Sequence, residues 1–159
     1  MNKDALQRAV LAQLEDDLEQ AHQAALAAHE IATHEENIAE NKYDTLGLEA
    51  AYLASGQAKR VEQLRQTLIT WRQLQPRPFD SLRGIELGAL VQLIDEAEQS
   101  QWLFLGPPGA AFKLSLDAPV QVLGSGAPLG QLLLGKQPGD EISLNVAGHL
   151  SAYEIAQVL

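Results

Sequence analysis

Residues 11–32 read LAQLEDDLEQAHQAALAAHEIA, and their apolar positions decide the N-terminal fold. Leu11, Leu14, Leu18, Ala21, Ala25, Ala28 and Ala32 follow one another in alternating steps of three and four, the seam of a heptad helix. The seam stops at Glu35. Residues 50–71, AAYLASGQAKRVEQLRQTLITW, carry a second seam through Ala50, Ala54, Gln57, Val61, Leu64, Leu68 and Trp71. The two seams taper in opposite directions. The first shrinks from Leu to Ala, and the second grows from Ala to Leu and Trp. Folding the chain back near residue 43 sets Ala28 and Ala32 against Ala50 and Ala54, and Leu14 and Leu18 against Leu68 and Trp71. Small then meets small and large meets large. This predicts an antiparallel coiled-coil hairpin over residues 1–75, an arm of roughly 50 Å at a rise of about 1.5 Å per residue. Two helices of an ordinary bundle would need a third long amphipathic partner, and none follows.

Gln75–Phe79, QPRPF, breaks the helix with two prolines and opens a linker over residues 76–86. The pattern then turns to short apolar or alternating runs bounded by Gly and Pro: LGALVQLI (87–94), QWLFL (101–105), FKLSL (112–116), PVQVL (119–123), DEISLNV (140–146) and YEIAQVL (153–159). PLGQLLLG (128–135) reads as one short helix ending at Gly135. Residues 87–159 are therefore expected to form a small domain of five strands and one helix with a twisted antiparallel sheet. The fold class is α+β.

The chain has 159 residues, 46% of them apolar, with no Cys and a net charge of −10. Disulfides, thiolate metal sites and Cys nucleophiles are excluded. Residues 1–75 and 76–159 each carry a net charge of −5, which disfavours direct duplex DNA binding through phosphates and favours a basic or metal-containing protein partner. No run approaches a membrane span and the N-terminus lacks a signal-peptide core, so a soluble cytoplasmic protein is expected.

At the turn of the hairpin, AENKYDTLGLE (39–49) holds Glu40, Asp44 and Glu49 with Lys42 as the sole base. These acids are either a working tip or local structure. Asp44 could cap the second helix, and Glu49 could sit favourably in its first turn. Tyr43 could be a tip contact or a packed residue. Glu35 and Glu36 read as solvated helix faces. His22, His29, His34 and His149 lack an acid at metal-ligand spacing and read as surface or seam-flanking residues. Lys59, Arg60, Arg65 and Arg72 form a basic flank, free for a partner or paired with Asp16, Asp17 and Glu19 across the hairpin. GSG (124–126) is a turn, because no phosphate-loop Lys follows it. Trp102, Phe104 and Phe112 have core spacing for a sheet.

GAPLGQLLLGKQPGDEISL (126–144) resembles the C-terminal domain of the Gre transcript-cleavage factors, the bacterial GreA/GreB elongation-factor family. The family pattern has Ser where this chain has Ala127 and Ala where it has Leu132. Pro128, Leu129, Gly130, Gly135, Lys136, Gly139 and Asp140 match, and YEIAQVL is similar to the family's last strand. The order of parts also agrees, a coiled-coil hairpin followed by an FKBP-like domain.

The resemblance implies an RNA-polymerase-binding factor that inserts its hairpin into the secondary channel. Tip acids there help hold a magnesium ion within the polymerase active site, so that the polymerase cleaves its own backtracked RNA. The factor would not be an enzyme itself, would have no cofactor of its own, and would meet the RNA 3′ end only indirectly. The resemblance points to Asp44, Glu49 and Glu40 as catalytic acids, with Asp44 and Glu49 toward the metal. Tyr43, Pro128, Leu129, Gly130, Lys136 and Asp140 would contact polymerase. A prolyl-isomerase reading of the FKBP-like fold fails on aromatic content, 5%. The tip departs from the family's Asp-x-x-Glu-Asn. Aligned on Tyr52, Thr45 and Leu48 fall where the acids belong, with Glu49 one residue off. Aligned on Glu40-Asn41, Asn37 replaces the first acid and Asp44 follows four residues later. A channel-occupying inhibitor without cleavage stimulation is therefore the alternative, and a coiled-coil interaction protein unrelated to transcription is a third reading.

Overall fold

A computed structural model of the protein describes residues 1–33 and 46–159. Helix α1 spans Lys3–Thr33 and α2 spans Leu46–Gln73. They are followed by β1 (Leu90–Asp95), β2 (Ser100–Gly106), β3 (Phe112–Ser115), β4 (Pro119–Gly124), α3 (Pro128–Leu133), β5 (Glu141–Val146) and β6 (His149–Val158). The chain divides into two compact units, one of residues 12–68 and one of residues 1–11 with 69–159.

The first unit is helical. Leu14, Ala21 and Ala28 are buried on α1, and Val61, Leu64 and Leu68 on α2. Leu18, Ala25, Ala54 and Gln57 are half-buried. These are seam positions, and the change from Leu to Ala along α1 keeps its sense. Each buried Leu contributes about 1.5–3 kcal/mol. Ala instead lets two backbones come close. The outer face of α1 satisfies its own polar groups one turn away. Asp17, Asp16 and Glu19 each accept a side-chain amide, from Gln13, Gln20 and Gln23, at 2.9 Å. The expected option of these acids pairing with the bases of α2 gives way to amides on the same helix, which need no second chain segment held in place.

The second unit is built on a sheet of order β3-β4-β2-β1-β6-β5. All six expected runs are strands, so the count of five was one short. The sheet is also not wholly antiparallel, because β2 and β4 pair in parallel, Trp102 beside Val120 and Phe104 beside Val122. The segment between them folds out to give β3, which returns antiparallel on β4. That crossover makes a parallel pair reachable without a long helix. One face packs Val91, Leu93, Leu103, Leu105, Ile142 and Ile155 under Leu133 of α3.

The opposite face presents Leu90, Phe104 and Val122, all fully buried. Trp71, in the last turn of α2, meets Phe104 edge-to-face with ring centroids 5.9 Å apart. A Cβ on Gly106 would lie 2.2 Å from the Trp71 ring, so only glycine fits beneath it. Leu6 and Val10, one turn apart on α1, are also fully buried. Gln7 Nε2 donates to the Trp71 and Leu74 carbonyls at 2.8 and 2.7 Å, satisfying the exposed end of α2. The start of α1 therefore lies beside the end of α2, as in an antiparallel pair. Lys3 donates from Nζ to the main-chain oxygens of Arg77 and Leu159. Partial burial draws its ammonium below the usual lysine value, and neighbouring Asp4 opposes that.

The proline-bearing stretch after α2 is tied to the sheet unit. Ile85 N–H donates to Lys136 O and Gly135 N–H donates to Ile85 O, both at 2.9 Å. Between β5 and β6 a two-residue turn pairs Val146 with His149 and places Ala147 at φ 53° and Gly148 at φ 79°. This left-handed geometry favours Asn-Gly.

Gly106→Ala is expected to lower stability by about 1–3 kcal/mol through overpacking against Trp71. Ala147→Asn should raise it by about 0.5–1 kcal/mol, by placing a residue that tolerates the left-handed region. Urea unfolding followed by circular dichroism measures both.

Candidate partner-binding surfaces

Helix α2 begins at Leu46, which places Glu49 in its first turn, exposed to solvent. A carboxylate there is favoured by the unsatisfied N–H groups of the helix start. Glu40, Tyr43 and Asp44 lie outside the described residues, as do His34 and the acids Glu35 and Glu36. Beside Glu49, Leu48 and Tyr52 are 52% and 70% exposed and stand one turn apart. Their exposure was readable from the seam, since neither falls on the Ala50–Ala54 line.

Along the helical unit, His22, Ala25, Leu26 and His29 of α1 and Ala51, Ala54, Ala58 and Arg65 of α2 line an open groove of about 710 Å³. His22 and His29 are exposed, as expected of them, and so is His149 on β6. Among the described residues no cluster of three or more His, Asp or Glu side chains is placed to hold a metal ion. On the basic flank, Lys59 and Arg60 are exposed, and Arg65 pairs with Glu62 of its own helix at 3.0 Å.

The other candidate surface surrounds α3. Pro128 is exposed at the first turn of α3, where its missing N–H costs nothing. Gly130 is buried, and a Cβ there would lie 2.3 Å from the Gly124 carbonyl oxygen. Leu129 is half-buried against the core. Gly135 and Gly139 adopt φ of 79° and 91°. Asp140 is half-buried and accepts the Gln137 N–H through Oδ2 at 2.8 Å, closing the turn. Lys136 has an exposed side chain, and its backbone carbonyl receives Ile85 N–H. Of this motif, Pro128 and Lys136 face solvent, while Leu129, Gly130 and Asp140 shape the loop. Leu134 and Leu82 are 41% and 93% exposed, two apolar residues that periodicity alone did not single out. Ala127 occupies the N-cap of α3 with extended geometry and no side-chain cap. A hydroxyl there would have a backbone N–H to receive.

Ala127→Ser is expected to add about 0.5–1 kcal/mol of stability by capping α3. Gly130→Ala should remove about 1–3 kcal/mol, because the neighbour it strikes is backbone. Thermal unfolding of the two variants separates these signs.

No family profile matches the chain. Sequence comparison finds the transcription elongation factor GreA of Polaromonas naphthalenivorans, 28% identical over 102 residues, 63% of this chain and 61% of that protein. GreA of Rhizobium leguminosarum bv. viciae is 36% identical over 76 residues, 46% of this chain and 44% of that protein. The chain thus spans less than two thirds of the curated relatives it matches. Among solved structures, the GreA factor homolog Gfh1 of Thermus thermophilus aligns over 94% of both chains at 22% identity, with a TM-score of 0.40. Over those stretches the chain is similar in sequence to proteins named transcription elongation factor GreA.

Proposed function

We propose that the protein is a transcription elongation factor that binds bacterial RNA polymerase, places its paired helices in the secondary channel, and stimulates cleavage of backtracked RNA. The observation that carries this reading is the coincidence of two things. The sequence relatives are named GreA, and the chain builds both a pair of long helices with an Ala-lined seam and a separate sheet unit. A narrow arm can enter a pore that a globular domain cannot.

In this reading the protein is not itself an enzyme and acts in the cytoplasm. None of its described helices is long and apolar enough to cross a membrane. The acids Glu40, Asp44 and Glu49 would act from the tip. Glu49 is the described member of the set, a single exposed carboxylate. Asp44 and Glu49 would face a Mg²⁺ ion, a hard ion that prefers several oxygen ligands and retains waters. By the resemblance to the Gre factors, that metal would be shared and held within the polymerase active site. Two-metal stabilisation of attacking and leaving oxygens is the chemistry such an ion supplies. The sheet unit would dock on the channel rim through α3, with Pro128 and Lys136 as the exposed contacts. Leu129, Gly130 and Asp140 would hold their presentation, and Tyr43 would touch polymerase from the arm.

A second reading rests on the tip sequence. Thr45 and Leu48 fall where the Gre pattern carries its acids when the chain is aligned on Tyr52. An arm with displaced acids would occupy the channel and block it.

The test is shortening of labelled RNA in stalled, backtracked elongation complexes with Mg²⁺. Stimulation by wild type, reduced at least tenfold in Glu49→Ala, Asp44→Ala or Glu40→Ala without loss of polymerase binding, is the expected outcome. Binding with cleavage at or below background establishes the inhibitor instead. Absence of polymerase binding removes both readings.

A further inference from the structure

The sheet ends in two unlike edges. β3 is four residues long and carries Lys113, so that edge is short and charged, two devices that discourage pairing with another chain. β5, at the other edge, runs six residues with no Lys, Arg or Pro, and its one charged residue is Glu141 at the start. Ile155 N–H donates to the Asp140 carbonyl at 2.9 Å, continuing the register that pairs Glu141 with Glu154 and Val146 with His149. Residues of an antiparallel strand alternate between those that bond to the neighbour and those whose main-chain groups point away. Asp140, Ile142, Leu144 and Val146 therefore bond to β6, and the N–H and C=O groups of Glu141, Ser143 and Asn145 point outward. Among the described residues no strand lies beyond them. The side chains sort in the same way. Ile142 joins the core under α3, with Leu144 half-buried and Val146 57% exposed on the same face. Glu141, Ser143 and Asn145 are exposed on the other. There Glu141 stands directly opposite Glu154, a like-charge pair.

We propose that β5 pairs with β5 of a second copy of this chain, antiparallel about a two-fold axis at Ser143, joining the two sheets edge to edge. The strand is complementary to itself in one register. Ser143 meets its own equivalent, and Glu141 meets the partner's Asn145 in both directions. All the outward-facing residues then exchange both main-chain bonds with their counterparts. Each Glu141 carboxylate gains an amide donor beside the like charge of Glu154. On the apolar face Ile142 meets the partner's Leu144, and the reverse, in the closer pairs that lie between the bonded ones. A shift of two residues leaves an outward-facing residue unpaired at each end. A shift of one sets Ile142 beside the partner's Ser143 and loses the apolar match. An unrelated extended peptide would supply the main-chain bonds without this double match of side chains. Both copies use the same edge, so the contact closes at two chains. The net charge of −10 on each copy opposes association, and no pair in the register joins opposite charges. The contact stands without the polymerase reading.

Sedimentation velocity of the full chain between about 5 and 500 µM is the test. Wild type is expected to rise from the mass of one chain toward that of two. Raising NaCl from about 50 to 500 mM should tighten association at least threefold by screening the acidic copies. Ser143→Lys opposes two ammonium groups on the axis and should weaken association at least tenfold. Ser143→Glu should do the same, and an equal mixture of the two should restore it, because each lysine then meets a glutamate. Circular dichroism verifies that the variants are folded. The chain has no Cys, so Ser143→Cys introduces a single thiol. Bonded antiparallel pairs lie about 5.5 Å apart at Cα, within reach of a disulfide, and oxidation should link the two copies. Ser115→Cys, on the β3 edge, should link at least fivefold less. This readout carries the test should a charged variant fail to fold. The proposal is overturned by a wild type that keeps the mass of one chain throughout, or by association that weakens with salt. Undiminished association of folded Ser143→Lys, a mixture that stays at one chain, growth beyond two chains, or equal linking of the two thiols would each overturn it as well.

Discussion

The contact between Trp71 and Gly106 is the constraint on which the sheet unit depends. An indole in the last turn of α2 lies flush on a strand because one residue of that strand has no side chain. The ring then reaches Phe104, and the end of α2 becomes part of the apolar face that also buries Leu90 and Val122. Gln7 satisfies the carbonyls this docking leaves open. Hydrophobic burial and hydrogen-bond satisfaction therefore act at the same few residues, and neither is complete without the other.

That contact also explains the division of the chain. Periodicity assigns the helices to an arm and the strands to a domain, which places the change at the prolines after Gln75. Cooperative packing assigns the first turns of α1 and the last of α2 to the sheet unit. Leu6 and Val10 precede the heptad seam that starts at Leu11, so a seam-based reading passes over them. They are spaced four and four with Leu14, a helical stripe visible in the letters once the start of the seam is not fixed at Leu11. The seams themselves were legible because a steric rule with a sharp period wrote them.

The sheet was legible strand by strand and less so in its pairing. Alternation and turn residues marked all six runs. Nothing in PVQVL distinguishes a strand that pairs in parallel with β2 from one that follows its neighbour in a meander, since both bury Val120 and Val122. Trp102 and Phe112, spaced as core residues, are half-buried, because alternation fixes a face and not how far cover extends over it. In the Gre-like motif the letters serve the fold first. Gly130, Gly135, Gly139 and Asp140 shape a loop, and the solvent-facing residues Pro128 and Lys136 are the few left for recognition. The tip acids were visible as composition alone. Their placement is known for Glu49, and the rest of the set lies outside the described residues.

The two tryptophans occupy contrasting environments. Trp71 is wholly enclosed and its indole N–H finds no acceptor, while Trp102 is half-buried on β2. An indole sealed from water and held against apolar rings emits at shorter wavelength than one in partial contact with solvent. The protein thus carries an intrinsic optical reporter of whether the foot of α2 is seated on its strand, and a second chromophore that reads the sheet. Release of the helix from the sheet would redden the first signal before the second, distinguishing a loosened arm from a melted domain in a single spectrum.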